Sequence, residues 1–327
     1  MENFRIELPI NKIICGDSLS TLKTFESESV DCVITSPPYY GLRDYGFTEQ
    51  TGLEPTYQEY ITRLCDVFDE VKRVLKKEGT CFVNLGDTYN GSKSGHTDNK
   101  NKKANSTTFQ KNKDRNIQPK SLMMIPERFA MEMIERGWVL RNKIPWIKPN
   151  AMPESVEDMW KKAHEYIFFF VKSQKYYFDL DAIRTKHKDV SIKRAEYEQG
   201  RNALGQNASS IGEKYSKDKS DKYGMPARQV KLNEKGAVPP DYFIVNTNCS
   251  SGDTVVEHYA TYPQSLIYPL VVAGCPKSGI ILDPFNGSGT TCITAIKQSR
   301  NYIGIDMSED YCKIANERIK GQTPPLF

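Results

Sequence analysis

Ile280-Ile281-Leu282-Asp283-Pro284-Phe285-Asn286-Gly287-Ser288-Gly289-Thr290-Thr291 is the stretch that decides the fold. Its apolar residues read as a buried strand over Gly279–Leu282. Pro284 cannot continue a sheet ladder, so the chain leaves the sheet there. Gly287 and Gly289 allow a tight turn and a close approach of backbone to a ligand. Gly289–Gln298 then has helical spacing, Tyr302–Ile305 is a second strand, and Asp306 follows it. Strand, glycine-rich turn, helix, strand and acid form an α/β unit whose ligand sits above the carboxyl ends of the strands. The spacing matches neither the dinucleotide fingerprint Gly-x-Gly-x-x-Gly nor a phosphate loop ending in Gly-Lys-Ser/Thr.

Working outward, the same alternation recurs. Lys12–Cys15 is a short apolar run, and Ser18 can cap a helix carrying Leu19, Leu22 and Phe25. Val30–Thr35 reads as a buried strand that ends at Ser36-Pro37-Pro38-Tyr39. Tyr57–Lys77 has an unbroken three-and-four spacing of apolar residues, with Gly79 placed to stop the helix. Thr80–Leu85 is the next strand, Leu122–Gly137 a helix, and Val139–Trp146 and His164–Val171 are further strands. Tyr262–Ala273 and Ser308–Lys320 are helical. Strands alternating with helices require a mostly parallel sheet.

Two segments break the pattern. Lys93–Lys120 and Arg184–Lys235 each carry a net charge of +6 in a chain whose total is +4, which leaves −8 for the rest. Residues 90–119 are rich in Lys, Asn, Ser and Thr, and read as a long mobile loop. Residues 189–236 are basic and weakly patterned. Basic segments on an acidic body suit a polyanion, because clustered Lys and Arg displace counterions from phosphates. Eight cysteines occur without a Cys-x-x-Cys pair and with only four histidines, so no metal site is expected. No basic start followed by an apolar stretch opens the chain, and its longest apolar run is too short for a bilayer. A cytoplasmic protein without membrane attachment is expected.

Ser36-Pro37-Pro38-Tyr39 has the parts for chemistry on an exocyclic amine. The lone pair of such an amine is delocalised into its ring, and acceptors for both N–H bonds favour the more nucleophilic geometry. Ser36 Oγ is one acceptor and the carbonyl of Pro37 the other, while Tyr39 offers a flat face to an extruded base. A nucleophilic cysteine in a Pro-Cys turn would serve a different chemistry, and Gly274-Cys275-Pro276 has the wrong order for that turn.

Taken together, Ser36–Tyr39 and Asp283–Thr291 resemble the β-class DNA amino-methyltransferases, in which the catalytic motif precedes the cofactor motif. Tyr39–Gly46, Gly52–Glu54, Asn84–Tyr89, Ile144–Asn150, His164–Tyr166 and His258–Pro263 extend the resemblance over most of the chain outside the two polar segments. It implies a circularly permuted, Rossmann-like α/β fold with a seven-stranded mostly parallel sheet. Residues 1–188 would form its catalytic part, 189–236 a target-recognition insert, and 237–327 its cofactor part. S-adenosyl-L-methionine would be the cofactor, held by Asp17, Ser18, Thr35, His258, Tyr262, Pro263, Asp283, Pro284, Phe285, Gly287, Ser288, Gly289, Thr290 and Asp306. Asp306 would accept the ribose hydroxyls. Tyr40, Asp87 and Trp146 would line the target-base pocket, with a place in the core the equal alternative for Trp146. Asn286 departs from the small residue usual in the family.

In this family Ser-Pro-Pro-Tyr accompanies cytosine N4 and Asp-Pro-Pro-Tyr adenine N6. The expected activity is therefore site-specific N4 methylation of cytosine in double-stranded DNA, with adenine N6 as the alternative. An RNA methyltransferase and a silent DNA-binding module are the competing classes. The resemblance also implies a prokaryotic or phage setting, with a cognate restriction endonuclease as a functional partner. The sequence does not disclose the oligomeric state.

Overall fold

The computed structural model describes residues 8–42, 50–91, 116–153, 157–203, 232–247 and 262–322. They fall into two compact units. The larger comprises Met1–Asp179 with Asp241–Phe327, and the smaller is Leu180–Pro240.

The larger unit is built on one eight-stranded sheet. Its strands are β1 (Lys12–Cys15), β2 (Val30–Thr35), β3 (Leu75–Leu85), β4 (Val139–Ile147), β5 (His164–Val171), β6 (Phe243–Ile244), β7 (Ile280–Asp283) and β8 (Asn301–Asp306). Their spatial order is β1-β8-β7-β2-β3-β5-β4-β6. Only the β3–β5 and β5–β4 pairs are antiparallel. The resemblance implies seven strands; the eighth is the two-residue β6, which pairs in parallel with Trp146 and Ile147.

Helices cover both faces. α1 (Ser18–Leu22), α2 (Tyr57–Val74) and α3 (Ile125–Glu135) pack on the face carrying Val33, Val83, Phe168, Leu282 and Ile303. In the other core layer, residues of the helices Gln264–Gly274 and Thr290–Lys297 meet Cys32, Ile34, Phe82, Phe169 and Ile281. Alternate residues of one strand thus enter opposite layers, as the two-residue period of a strand requires. Each fully buried Leu, Ile, Val or Phe contributes roughly 1.5–3 kcal/mol.

α2 shows where spacing misleads. Thr56 caps it by accepting from the Glu59 amide at 3.2 Å, and Tyr60, Ile61, Leu64, Val67, Phe68 and Val71 are buried. The expected end at Lys77 is wrong: the helix stops at Val74, and Leu75 is already extended and paired with Val30. Lys76 serves the sheet by reaching Asp31 at 2.7 Å. Buried strand pairing here overrides a helical pattern that continues in sequence.

The sheet reverses its winding between β2 and β7. From β2 the chain crosses through α2 to β3 on one side. From β7 it crosses through Thr290–Lys297 to β8 on the other. The crevice at the carboxyl ends of such a pair is where α/β sheets hold ligands. The antiparallel β5 brings its own first residues to the same edge, with Tyr166 opposite Leu85 and Glu165 opposite Trp146.

The smaller unit holds a 3-10 turn (Asp181–Ile183) and the helix α4 (Asp189–Ala203), where weak patterning predicted no element. Asp189 in the first turn suits a helix N-terminus. Thr185 and Ala237 exchange backbone hydrogen bonds at 3.0 and 2.8 Å, and Asp181 holds both Arg184 and Lys235 at 2.6 Å. The expected loop 90–119 closes at its base: Asn90 exchanges backbone bonds with Lys120 and Ser121. Its residues 92–115 lie outside those described. Among the described residues no helix is long and apolar enough to cross a membrane.

Candidate active site

The glycine-rich turn after β7 is organised around Asp283. Its carboxylate is 1% exposed and accepts four hydrogen bonds. Thr35 Oγ1 at 2.6 Å and the Phe285 amide at 3.1 Å reach Oδ1. Thr291 Oγ1 at 2.6 Å and Tyr262 OH at 3.1 Å reach Oδ2. A carboxylate offers about four lone-pair sites, so these donors fill it. Burial pushes the Asp283 carboxyl upward, against the hydrogen bonds that favour its charge.

The turn itself is open to a ligand. Gly287 has φ 51°, and a Cβ on it would meet nothing within 4 Å. Gly289 has φ 83° and initiates α6 (Thr290–Lys297), which follows α5 (Gln264–Gly274) in chain order. A Cβ on Gly289 would come within 3.0 Å of Ala315 in α7 (Glu309–Lys320), so the turn can sit down on that helix only with glycine. Ser288 is held from the same helix by Arg318, whose Nη1 donates to its Oγ at 2.7 Å. Thr290 Oγ1 is buried and has no hydrogen-bond partner among the described residues. A buried hydroxyl of this kind costs about 1–3 kcal/mol unless something pairs with it. An open cradle at Gly287 beside an unpaired hydroxyl fits a polar ligand such as an amino-acid group.

Asp306 ends β8, the strand beside β7. It receives the Gly287 amide on Oδ2 at 2.7 Å and the Ser308 amide on Oδ1 at 2.9 Å. Each oxygen therefore keeps one acceptor site. Burial raises its pKa to about 6, opposed by those two amides. Asp17 caps α1 by accepting from Ser20 N and Oγ at 2.8 and 2.7 Å. Ser18 Oγ donates to the Pro284 carbonyl at 2.5 Å and ties the first helix to the turn. The cap is thus Asp17, one residue earlier than expected.

The Thr35–Asp283 bond joins the two motifs, which are 248 residues apart in sequence. Immediately after Thr35, Pro37 is buried and the Pro38 carbonyl accepts Tyr60 OH at 2.9 Å. Among the described residues no hydrogen bond reaches the Pro37 carbonyl. Ser36 Oγ donates to Tyr39 OH at 3.4 Å, and Tyr39 OH donates to Glu165 Oε2 at 2.8 Å. Burial, followed by the Glu165 charge, holds the Tyr39 phenol well above its usual pKa.

The three residues expected to line the target-base pocket are each engaged within the protein. Tyr40 is 1% exposed and packs on Tyr60 in the core, with ring centroids 5.4 Å apart. Trp146 is buried in the other layer and donates to the Val245 carbonyl at 2.9 Å. Asp87 accepts the amides of Thr88 (2.8 Å), Met124 and Ile125 (both 3.0 Å), so it caps α3 across a sequence gap. Burial raises its pKa first, and the Ile125 and Thr88 amides lower it. Tyr262 and Pro263 are buried as the chain enters α5, and His258 lies outside the described residues. Asn286, the departure from the usual small residue, accepts Cys292 Sγ at 3.0 Å and packs on Gly304. Cys275 is fully buried, and burial raises its thiol pKa, as befits a packing residue rather than a nucleophile. Sequence reading assigned no role to Asn84, Lys148, Glu165 or Thr291. Each lies in a segment that carries the family resemblance, but nothing local showed that Asn84, Lys148 and Glu165 meet at Tyr39.

Comparison with known proteins bears on this geometry. A DNA methylase family (N6_N4_Mtase) matches residues 30–317. The type II methyltransferase M.Cfr9I of Citrobacter freundii is 36% identical over 94% of this chain and 87% of its own length. M.SmaI of Serratia marcescens is 35% identical over 94% and 90%. Among solved structures, the cytosine-N4-specific PvuII DNA methyltransferase superposes with a TM-score of 0.59 at 18% identity, covering 95% of this chain and 93% of that one. The M1.HpyAVI–SAM complex does so with 0.53 at 16% identity, covering 94% and 98%.

Proposed function

The chain belongs to the DNA methylase family, and from that premise we propose that it methylates the exocyclic N4 amine of cytosine in duplex DNA, with S-adenosyl-L-methionine as donor. The observation that carries the reading is the 2.6 Å bond between Thr35 and Asp283. It sets Ser36–Tyr39 beside the turn Pro284–Gly289, so that an amine held by one lies next to a ligand held by the other.

The cofactor supplies a methyl group on a sulfonium, ready for displacement. The protein supplies position, which can be worth roughly 7–11 kcal/mol of a barrier. Gly287 leaves room for the ligand, Thr290 offers its unpaired hydroxyl, and the open acceptor sites of Asp306 suit two ribose hydroxyls. Ser36 Oγ and the Pro37 carbonyl accept the two N–H bonds of the target amine, which turns its lone pair toward the methyl group. Tyr39 stacks on the extruded base. The proton released from the methylated amine passes to water. What supports cytosine over adenine is Ser36, a neutral hydroxyl where the adenine type carries an acid.

Residues 189–236 and the loop 90–119 lie in the basic parts of the chain, and we assign both to DNA contact, the former as the target-recognition region. A cognate restriction endonuclease would be the functional partner.

The test is incubation with unmethylated duplex DNA and S-adenosyl-L-methionine, then nucleoside digestion and mass spectrometry. N4-methylcytosine is expected. N6-methyladenine would reassign the base while keeping the class, and methylated RNA without methylated DNA would overturn the substrate.

A further inference from the structure

Glu165 has no role in the reading above, yet it is where the hydroxyls of the Ser-Pro-Pro-Tyr motif end. Tyr39 OH lies 2.8 Å from Glu165 Oε2 and 3.3 Å from Asn84 Oδ1, and its single proton goes to the nearer, charged acceptor. Asn84 Nδ2 donates to the same Oε2 at 3.3 Å and to the Tyr166 carbonyl at 3.2 Å. The other oxygen, Oε1, is paired with Lys148, and both side chains of that pair are only 16% exposed. Lys148 in turn sits 4.2 Å from the Trp146 ring centroid. The Tyr39 ring packs flush on Gly86, where a Cβ would come within 2.6 Å of its Cε2.

These contacts fix direction as well as place. A carboxylate accepts and never donates, so Tyr39 must give it the phenol proton. The Tyr39 oxygen is then free to accept, and Ser36 gives its own proton to it at 3.4 Å. Every hydroxyl proton therefore points away from the crevice, and Ser36 Oγ faces an incoming amine with lone pairs alone. We propose that Glu165, anchored by Lys148, is a positioning residue that sets the polarity of the Ser36–Tyr39 hydroxyl pair and makes Ser36 an obligate acceptor. This rests on the assignment of Ser36 as the amine acceptor.

Glu165→Gln keeps the shape but lets an amide N–H face Tyr39, which allows the pair to reverse. The expected result is a fall in kcat of about 10–100-fold, the size typical of one mis-set polar group in an active site. Cofactor affinity should stay near wild type, while the melting temperature falls because Lys148 loses its buried partner. The decisive readout is a double-mutant cycle with Tyr39→Phe, which removes the phenol through which Glu165 acts. Methyl transfer from labelled S-adenosyl-L-methionine to bulk DNA of a methylation-free host supplies the rates. Glu165→Gln should cost nothing further in the Tyr39→Phe background. A full additional loss there would overturn the proposal, as would a wild-type kcat for Glu165→Gln alone. An inactive wild-type enzyme would instead overturn the functional reading on which the proposal stands.

Discussion

The turn after β7 and the turn after β2 are joined where Thr35 donates to Asp283, but they are built in opposite ways. In the first, the carboxylate of Asp283 is closed off by four protein donors, and Ser288 is occupied by Arg318. In the second, Ser36 is half-buried with its proton turned aside, and the Pro38 carbonyl is taken while no described residue donates to that of Pro37. One turn uses its acid and Ser288 to hold a shape and keeps the Thr290 hydroxyl unpaired; the other keeps unpaired acceptors. Asp306 stands between these extremes, with one amide on each oxygen and a free site beside it. An acid near a ligand site is a ligand group only if its lone pairs are not already filled, which the count of donors decides.

Three changes would break or sharpen this contrast. Asp283→Ala would leave Thr35 and the Phe285 amide without their acceptor, while Tyr262 and Thr291 still pair with each other at 2.5 Å, and should destabilise the fold by about 2–4 kcal/mol in chemical denaturation. A loss below about 1 kcal/mol would mean that the stranded donors find water, and that the turn is less closed than its geometry states. Ser36→Ala should leave stability and cofactor affinity near wild type while lowering turnover by about 10²–10³-fold, the usual cost of one transition-state hydrogen-bond partner. An equal loss of cofactor affinity would show that the two turns are not functionally separate. Asp306→Asn should weaken cofactor binding by about tenfold, with turnover at saturation much less affected.

Asp306 adds a pH test. Its pKa in the folded protein is raised to about 6, so protonation removes an acceptor as pH falls through that value. Cofactor binding in calorimetry should therefore weaken below about pH 6, and bound cofactor should shift the transition to lower pH by linkage. The sign for stability is opposite. A raised carboxyl pKa means that the folded state binds the proton more tightly, so this group favours folding as pH drops from 6 toward its ordinary value of 3.8. Asp306→Asn should flatten both curves.

Much of the fold was legible in sequence because its signals are local. β1 and β5 begin and end where their apolar runs do. The turn motif, with its two glycines at positive φ, announced itself by residue type. The missed features are those that depend on partners distant in sequence. Asp87 read as a pocket acid because it follows a strand, yet its donors Met124 and Ile125 enter from 37 and 38 residues away. Trp146 read equally as a pocket aromatic or as core, and only the packing decides: it sits in the buried layer against residues such as Ile34 and Leu266.

The sequence by itself determined most of the elements of the larger unit, their order, the paired motifs and the family, but not α4, β6 or the end of α2. These rest on periodicity, turn chemistry and residue identity, which act within a few positions along the chain. The tertiary structure alone decided which acid is filled and which is open, and that Glu165 reaches Tyr39 across 126 residues. Those outcomes depend on strand register. A shift of one residue in the antiparallel β3–β5 pairing would turn Glu165 to the opposite face of the sheet, and no local pattern fixes that choice.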